Sequence, residues 1–254
     1  MKLSLRALWR GAALIALMLL FLTPVLLRAL LFGQDLHFAL RVRQRFVWAA
    51  VRLLGLRIRL QGKPPEGGPY LFVGNHRSYL DPVVALAHIR ALPVAKAEMA
   101  SWPVIGFAAR ATGILYVKRE EKTSRHRTLL AMEDLLGRGF SILLYPEGTT
   151  HQEPRTRPFR KGAFSLAARR GFPVVPVAIE YPRKEVAWVG NDTFLPHFLK
   201  TFRHPITEVH IAYGPPLQDS DPHTLLSHTR TWIDQWLESF HEMTDPAELS
   251  RQKL

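Results

Sequence analysis

The stretch "PYLFVGNHRSYLDP" (69–82) decides the fold. The apolar and aromatic run Tyr70–Val73 lies between Pro69 and Gly74, and the polar segment "NHRSYLD" follows at once. A short apolar run between turn residues reads as a buried strand. Asp81 before Pro82 reads as the start of a helix, with the aspartate as its cap. Strand, polar turn and helix in immediate succession are the opening of an α/β unit.

Working outward, the alternation recurs. Strands are expected at "YLFVG" (70–74), "LPVAKA" (92–97), "ILYVK" (114–118), "FSILLYP" (140–146), "PVVPVAIEY" (173–181) and "EVHIAYG" (208–214). Helix-compatible segments fall between them at 82–91, 103–112, 123–139 and 160–171, and a final amphipathic helix at 222–243 packs across the sheet or caps it. This order predicts an α/β fold: a mostly parallel central sheet flanked by helices. "HQEPRTRPFRK" (151–161), with two prolines and four basic residues, reads as an exposed loop.

Ahead of the strand, "QGKPPEGGPY" (61–70) reads as a linker. It divides the chain into an N-terminal membrane-binding segment, 1–60, and a globular domain, 61–254. "GAALIALMLLFLTPVLL" (11–27) carries no charge and sits at the short limit for crossing a hydrocarbon core, with Pro24 expected to kink it. A secretory signal, a transmembrane anchor and a helix that enters one leaflet all fit this run. The sequence "LLRALLFGQ" offers no small-x-small cleavage site, which disfavours the signal. "LHFALRVRQRFVWAAVRLLGLRIRL" (36–60) mixes arginine with apolar residues at helix-compatible spacing and reads as a second, basic amphipathic helix. A solvated structural helix is its plain alternative. Basic residues flank the apolar run on both sides, which favours a monotopic anchor with both ends cytoplasmic. The chain is therefore expected at the inner membrane, with its globular domain on the cytoplasmic face.

The net charge is +13, and residues 1–60 supply nine of those charges, ten basic residues standing against Asp35 alone. Arginines set among Leu, Val, Phe and Trp suit an anionic membrane surface better than nucleic acid, and no nucleic-acid motif is present. The chain has no cysteine, which excludes disulfides, thiolate metal sites and a cysteine nucleophile. There is no G-x-S-x-G elbow, no phosphate-binding G-x-x-x-x-G-K-[ST] loop and no H-E-x-x-H spacing among the eleven histidines. No metal site and no cofactor are expected.

In an open α/β sheet, ligands bind beyond the carboxyl ends of the strands. Three polar clusters follow strands directly: "NHRSYLD", "KRE" (118–120) and "PEGTT" (146–150). His76 is able to take a proton from a hydroxyl, and Asp81 to hold the ring's other nitrogen and stabilise the imidazolium. On a plain helix a five-residue spacing would separate them; a strand end, a loop and a helix start bring them together. The bland reading, a capping Asp81 and a loop His76, fits these eight residues equally well. Lys118 and Arg119 suit an anionic head group, or a solvated strand end. Glu147 offers an acceptor for hydroxyls and Gly148 a close backbone approach, or the two form an ordinary tight turn.

These blocks, in this order, resemble the glycerolipid acyltransferases, the family of the lysophosphatidic-acid (1-acyl-sn-glycerol-3-phosphate) acyltransferases. "NHRSYLD" (75–81) resembles its H-x-x-x-x-D block, "GILYVKR" (113–119) the second, "YPEGTT" (145–150) with "FRKGAF" (159–164) the third, and "VVPVAI" (174–179) the fourth; "KAEMASWPVIG" (96–106) also matches. The resemblance covers about residues 60–215. It implies a general base at His76, an orienting partner at Asp81, and acceptor binding by Lys118, Arg119, Glu147, Gly148 and Thr149. It also implies backbone N–H groups for the oxyanion and an N-terminal two-helix membrane motif. The implied reaction moves an acyl chain from acyl-coenzyme A or acyl carrier protein to the hydroxyl of a lysolipid, without an acyl-enzyme. One position departs from the pattern: Thr150 stands where the family usually has an arginine that binds phosphate, with Arg155, Arg157, Arg160 and Lys161 as candidates to replace it. Lysophosphatidic acid ranks first as acceptor on the family's base rate. Lyso-ornithine lipid is the alternative, since some relatives with Glu-Gly-Thr-Thr and stretches like "AWVGNDTFLPHF" (187–198) acylate it. A lipid-binding protein without turnover is the alternative of another class.

Overall fold

The computed structural model describes residues 4–101, 106–107 and 111–244. The expected helix at 103–112 falls mostly outside them. The rest form a seven-stranded sheet in the order β1-β7-β6-β2-β5-β3-β4. Its strands are β1 (Leu56–Gln61), β2 (Leu71–Gly74), β3 (Ala91–Lys96), β4 (Leu115–Val117), β5 (Ser141–Leu144), β6 (Val174–Glu180) and β7 (Thr207–Tyr213). Every pairing is parallel except β6 with β7. The expected strands are all present. The inner strands are buried on both faces, which is why β2, β5 and β6 read as unbroken apolar runs.

Alternate residues feed two cores. Phe72, Leu143, Val175, Val177 and Ile179 face one side, covered by α2 (Leu36–Leu54), α3 (Asp81–Leu86) and α6 (Phe194–Phe202). Leu71, Ile142, Leu144 and Val174 face the other, under α4 (Lys122–Gly137), α5 (Gly162–Arg170) and α7 (Pro222–Thr244). The structure is thus helices on both faces of a mostly parallel sheet. The loop 151–161 is only partly exposed: His151, Thr156 and Phe159 are buried.

The N-terminal segment departs from the sequence reading in two ways, and the globular domain in one. The first helix, α1 (Leu5–Phe32), runs well past the uncharged stretch at both ends and carries Pro24 inside it. Its N-terminus is capped by the Ser4 side chain, which accepts from the Ala7 N–H. The second, α2, is capped by Asp35, whose carboxylate accepts from Phe38 N–H at 2.9 Å and pairs with Arg28 at 2.7 Å. That helix stops at Leu54, and residues 56–60, assigned by spacing to the same helix, form strand β1 beside β7. The stop is Gly55, in the left-handed conformation at φ 69°. The last difference is α6, which the sequence pattern did not announce.

Gly55 sits against a buried joint. Arg10 of α1 donates to the carbonyls of Phe202 (3.1 Å), His204 (2.6 Å) and Pro205 (2.7 Å). A Cβ at position 55 would press on the Pro205 carbonyl and the Arg10 guanidinium. Gly55→Ala therefore combines a left-handed strain with a steric clash, and we expect it to destabilise the fold by about 2–3 kcal/mol, read from the denaturation midpoint. A loss below about 0.5 kcal/mol would show that the joint relaxes freely.

Candidate active site

Strands β2 to β6 all run the same way, so the segments after β2, β3, β4, β5 and β6 meet at one edge of the sheet. His76 lies there, its Nδ1 2.7 Å from Asp81 Oδ2. Asp81 is the first residue of α3 but does not cap it. Its fully buried carboxylate turns back into the loop, where Oδ2 also accepts from the N–H groups of Arg77 (2.6 Å) and Ser78 (2.9 Å). Oδ1 accepts from the Tyr181 hydroxyl at 2.8 Å. Four donors at one carboxylate fix its orientation. With Asp81 at Nδ1, the ring proton sits there and Nε2 is left with its lone pair. The imidazole is stacked on Tyr145, 4.5 Å between centroids and 12° between planes.

Three consecutive residues at the end of β6 hold three residues of the motif. The Asn75 side chain exchanges two 2.8 Å hydrogen bonds with the backbone of Ile179, extending the sheet by a side-chain rung. Glu180 takes Arg77, and Tyr181 takes Asp81. Arg77 is buried and reaches Glu180 at 3.0 Å and His151 Nδ1 at 3.0 Å. The Glu153 N–H donates to the same nitrogen, so the His151 proton lies on Nε2, aimed at Glu147, with which it pairs. Burial pushes the Glu180 carboxyl up. The hydrogen bond from His241, the Arg77 charge and the Tyr181 N–H outweigh it and hold that carboxyl below the usual range.

A cavity of about 800 Å³ opens in front of His76. Its long apolar part runs between Leu14, Met18 and Phe21 of α1, Phe46 and Val47 of α2, and Phe198 and Phe202 of α6. Its polar wall carries Lys96, Glu98, Arg119, Glu120, Gly148, Thr149, Thr150 and Asp192. Arg119 donates to the Gly148 carbonyl, and burial pulls its guanidinium below the ordinary range. Gly148 has φ 75° and lies against Arg160, which also donates to the Arg119 carbonyl.

The sequence-designated residues thus divide. His76, Asp81, Arg119, Gly148 and Thr149 come together at the cavity or directly behind it. Glu147 lies beneath, accepting from the His76 N–H at 3.2 Å. Lys118 points elsewhere: it is exposed, pairs with Glu121 at 2.9 Å and does not line the cavity. Thr150 donates to the Trp188 carbonyl, while the Trp188 N–H donates to Arg77 O at 2.9 Å, so three loops are laced at this corner. Arg155 and Arg157 pair with Glu238 and Glu153, whereas the Arg160 guanidinium lies against Gly148, two residues before the position of the missing arginine. Tyr181, Tyr145 and Asp192 escaped the sequence reading. The one local signal was a tyrosine and a glutamate closing the otherwise apolar strand β6.

The family model described as Acyltransferase matches residues 56–180. A lyso-ornithine lipid O-acyltransferase of Pseudomonas aeruginosa is 35% identical over 227 residues, 84% of this chain and 85% of that protein. The chloroplastic 1-acyl-sn-glycerol-3-phosphate acyltransferase BAT2 of Brassica napus is 33% identical over 139 residues, 54% of this chain and 40% of that one. The solved structure of the 1-acyl-sn-glycerophosphate acyltransferase PlsC from Thermotoga maritima superposes with a TM-score of 0.66 at 19% identity, over 92% of this chain and 98% of that one, and shows the shared fold. With the ordered blocks on one sheet edge and a 35%-identical relative matched over 85% of its length, the chain belongs to the acyltransferase family and is an acyltransferase of the lysophosphatidate and lyso-ornithine lipid type.

Proposed function

We propose that the chain is a membrane-bound O-acyltransferase that moves a fatty acyl chain from a thioester to the free hydroxyl of a lysolipid with a zwitterionic amino-acid head group, of the lyso-ornithine kind. The observation that carries this reading is the make-up of the cavity. His76 stands between a long apolar channel and a polar wall that holds both a cation, Arg119, and an anion, Asp192. A head group with a carboxylate and an ammonium satisfies both. A phosphate monoester is drawn to Arg119 but repelled by Asp192 and Glu120. The Pseudomonas relative, matched over most of its length, supports the same choice. The second reading, lysophosphatidic acid to phosphatidic acid, is favoured by Lys96, a second cation on that wall, although Lys96 pairs with Glu98 at 3.3 Å.

In the reaction, His76 Nε2 takes the proton of the acceptor hydroxyl. The oxygen attacks the thioester carbonyl, and Asp81 stabilises the imidazolium as it forms. The tetrahedral intermediate collapses with cleavage of the C–S bond. The departing thiolate recovers the proton from His76, leaving an ester and a free thiol. Ser78, whose hydroxyl is buried and outside the cavity lining, has no access to the thioester, which supports direct transfer without an acyl-enzyme. The scheme needs no metal or cofactor, since acyl-coenzyme A or acyl carrier protein brings its own leaving group. The apolar channel suits the acyl chains.

The reading includes an inner-membrane location with the catalytic edge on the cytoplasmic side. Its support is α1, whose 28 residues span about 42 Å, more than a hydrocarbon core. Leu8, Trp9, Leu19, Leu27 and Leu31 lie exposed along it.

The test is a competition between lyso-ornithine lipid and 1-acylglycerol-3-phosphate, presented to the full-length protein with a long-chain acyl-coenzyme A and, in parallel, a loaded acyl carrier protein. Ornithine lipid is the expected main product. Asp192→Asn is expected to lower kcat/KM for lyso-ornithine lipid about tenfold, the worth of one charge-assisted hydrogen bond, and to leave lysophosphatidic acid unharmed. Preferred turnover of lysophosphatidic acid would install the second reading. No thioester consumption with either acceptor would favour the lipid-binding alternative.

A further inference from the structure

We infer that Tyr181 is a positioning residue for the reaction: its hydroxyl sets both the orientation and the basicity of the Asp81 carboxylate, and through it the proton affinity of His76. The inference rests on the catalytic reading of His76 and Asp81.

The donors at Asp81 are unequally shared. Oδ2 takes three, from His76 Nδ1 and the N–H groups of Arg77 and Ser78, whereas Oδ1 takes the Tyr181 hydroxyl. Both Asp81 and the Tyr181 ring are buried, so no water competes for Oδ1. The three Oδ2 donors all come from the loop that Asp81 itself closes and would move with it. Tyr181 comes from β6, a hundred residues away and anchored in the centre of the sheet. It is the contact that refers the catalytic pair to the rigid frame. The same strand end grips the motif at Asn75 through Ile179 and at Arg77 through Glu180. Tyr181 is the member of this set that touches the carboxylate.

A phenol donating to a carboxylate withdraws charge from it. Among the described residues, the other titratable or charged groups beside the pair are Arg77, Glu180, Glu147 and Tyr145, with Lys96, Glu98, Arg119, Glu120 and Asp192 on the cavity wall in front of His76. None of them replaces the proton on Oδ1. Removing the phenol leaves Asp81 a stronger partner for imidazolium, so His76 holds its proton to higher pH. A base that must be neutral to act is then available only at higher pH.

The experiment follows kcat, KM and the acid limb of kcat/KM in full-length protein with a long-chain acyl-coenzyme A and lysolipid. Tyr181→Phe is expected to lower kcat roughly tenfold with little change in KM, the scale of losing one orienting contact behind a catalytic group. It is also expected to move the acid limb to higher pH. Replacing Tyr181 with 3-fluorotyrosine, which keeps the shape and donates more strongly, should move the limb to lower pH, and it reports even if the phenylalanine variant folds poorly. Tyr213→Phe is the structural control: its hydroxyl is also buried and donates to Ala85 O at 2.8 Å, but it does not touch Asp81. It should reduce thermal stability and leave kcat and the pH profile in place. A Tyr181→Phe profile superimposable on the wild type, or limbs that do not move in opposite directions in the two variants, overturns the inference. Full activity in Asp81→Asn overturns the catalytic reading instead, so the two failures are distinguishable.

Discussion

His76→Ala is expected to reduce kcat about a thousandfold or more while the protein stays folded, because it removes the group that takes and returns the proton, at the upper end of what acid–base catalysis contributes. The ring makes one side-chain hydrogen bond and stacks on Tyr145, so its loss leaves a small void beside an open cavity rather than a broken core. Asp81→Asn should cost less, roughly a hundred- to a thousandfold. The amide oxygen can replace Oδ2 toward His76, Arg77 and Ser78, and the Tyr181 hydroxyl can turn to accept from the amide nitrogen. The geometry then survives, and what disappears is the negative charge that stabilises the imidazolium. Steady-state assays beside a thermal melt check both. A folded His76→Ala protein retaining a tenth of wild-type turnover would remove His76 from the chemistry.

Arg77→Ala is expected to have the largest effect on stability, about 3 kcal/mol, since it breaks a buried ion pair and leaves Glu180 with only His241 and the Tyr181 N–H. Arg77 faces away from the cavity, and its side chain spans Glu180, His151 and the Pro154 carbonyl. Removing it withdraws a charge from Glu180 and a donor from His151, and through His151 loosens Glu147 beneath the motif. Arg77→Lys should recover only part of the loss, because an ammonium cannot span both partners as the guanidinium fork does. The pH dependence carries a sign. Glu180 is held below its unfolded-state value, so its contribution is present above the ordinary glutamate range, near pH 4.3, and is lost as pH falls through and below that range. In Arg77→Ala that acid-side slope should flatten. Urea titrations at neutral and acid pH measure both effects, and a loss under about 1 kcal/mol would show that His241 and the Tyr181 N–H suffice to hold Glu180.

The strands were legible because burial on both faces leaves an unbroken apolar run, and the polar clusters at their ends were legible because nothing apolar can stand there. Strand β1 was missed although "LRIRL" alternates strictly after Gly55, a period-2 signal. The same mixture of arginine and leucine fills α2, and composition masked the change of period. Helix α6 hides behind Pro196 in its first turn. Lys118 and Arg119 lie past the end of β4, Arg119 in the turn that follows, where no strand period announces which of the two side chains reaches the cavity. Tyr181 and the Arg77 network were illegible for another reason: each joins residues about a hundred positions apart, and only the closed sheet brings them together.

The joint at Gly55 has a consequence for the surroundings of the protein. One residue separates α2 from a strand of the sheet, and Arg10 ties α1 to the same corner, so helix pair and sheet are joined directly. With α1 in a bilayer, a thinner or thicker lipid layer would tilt the helix, and Leu14, Met18 and Phe21 of that helix line the cavity. On the proposed membrane-bound reading, turnover is expected to respond to the thickness of the membrane as well as to the chemistry of its lipids, and assays in vesicles of graded acyl-chain length check it.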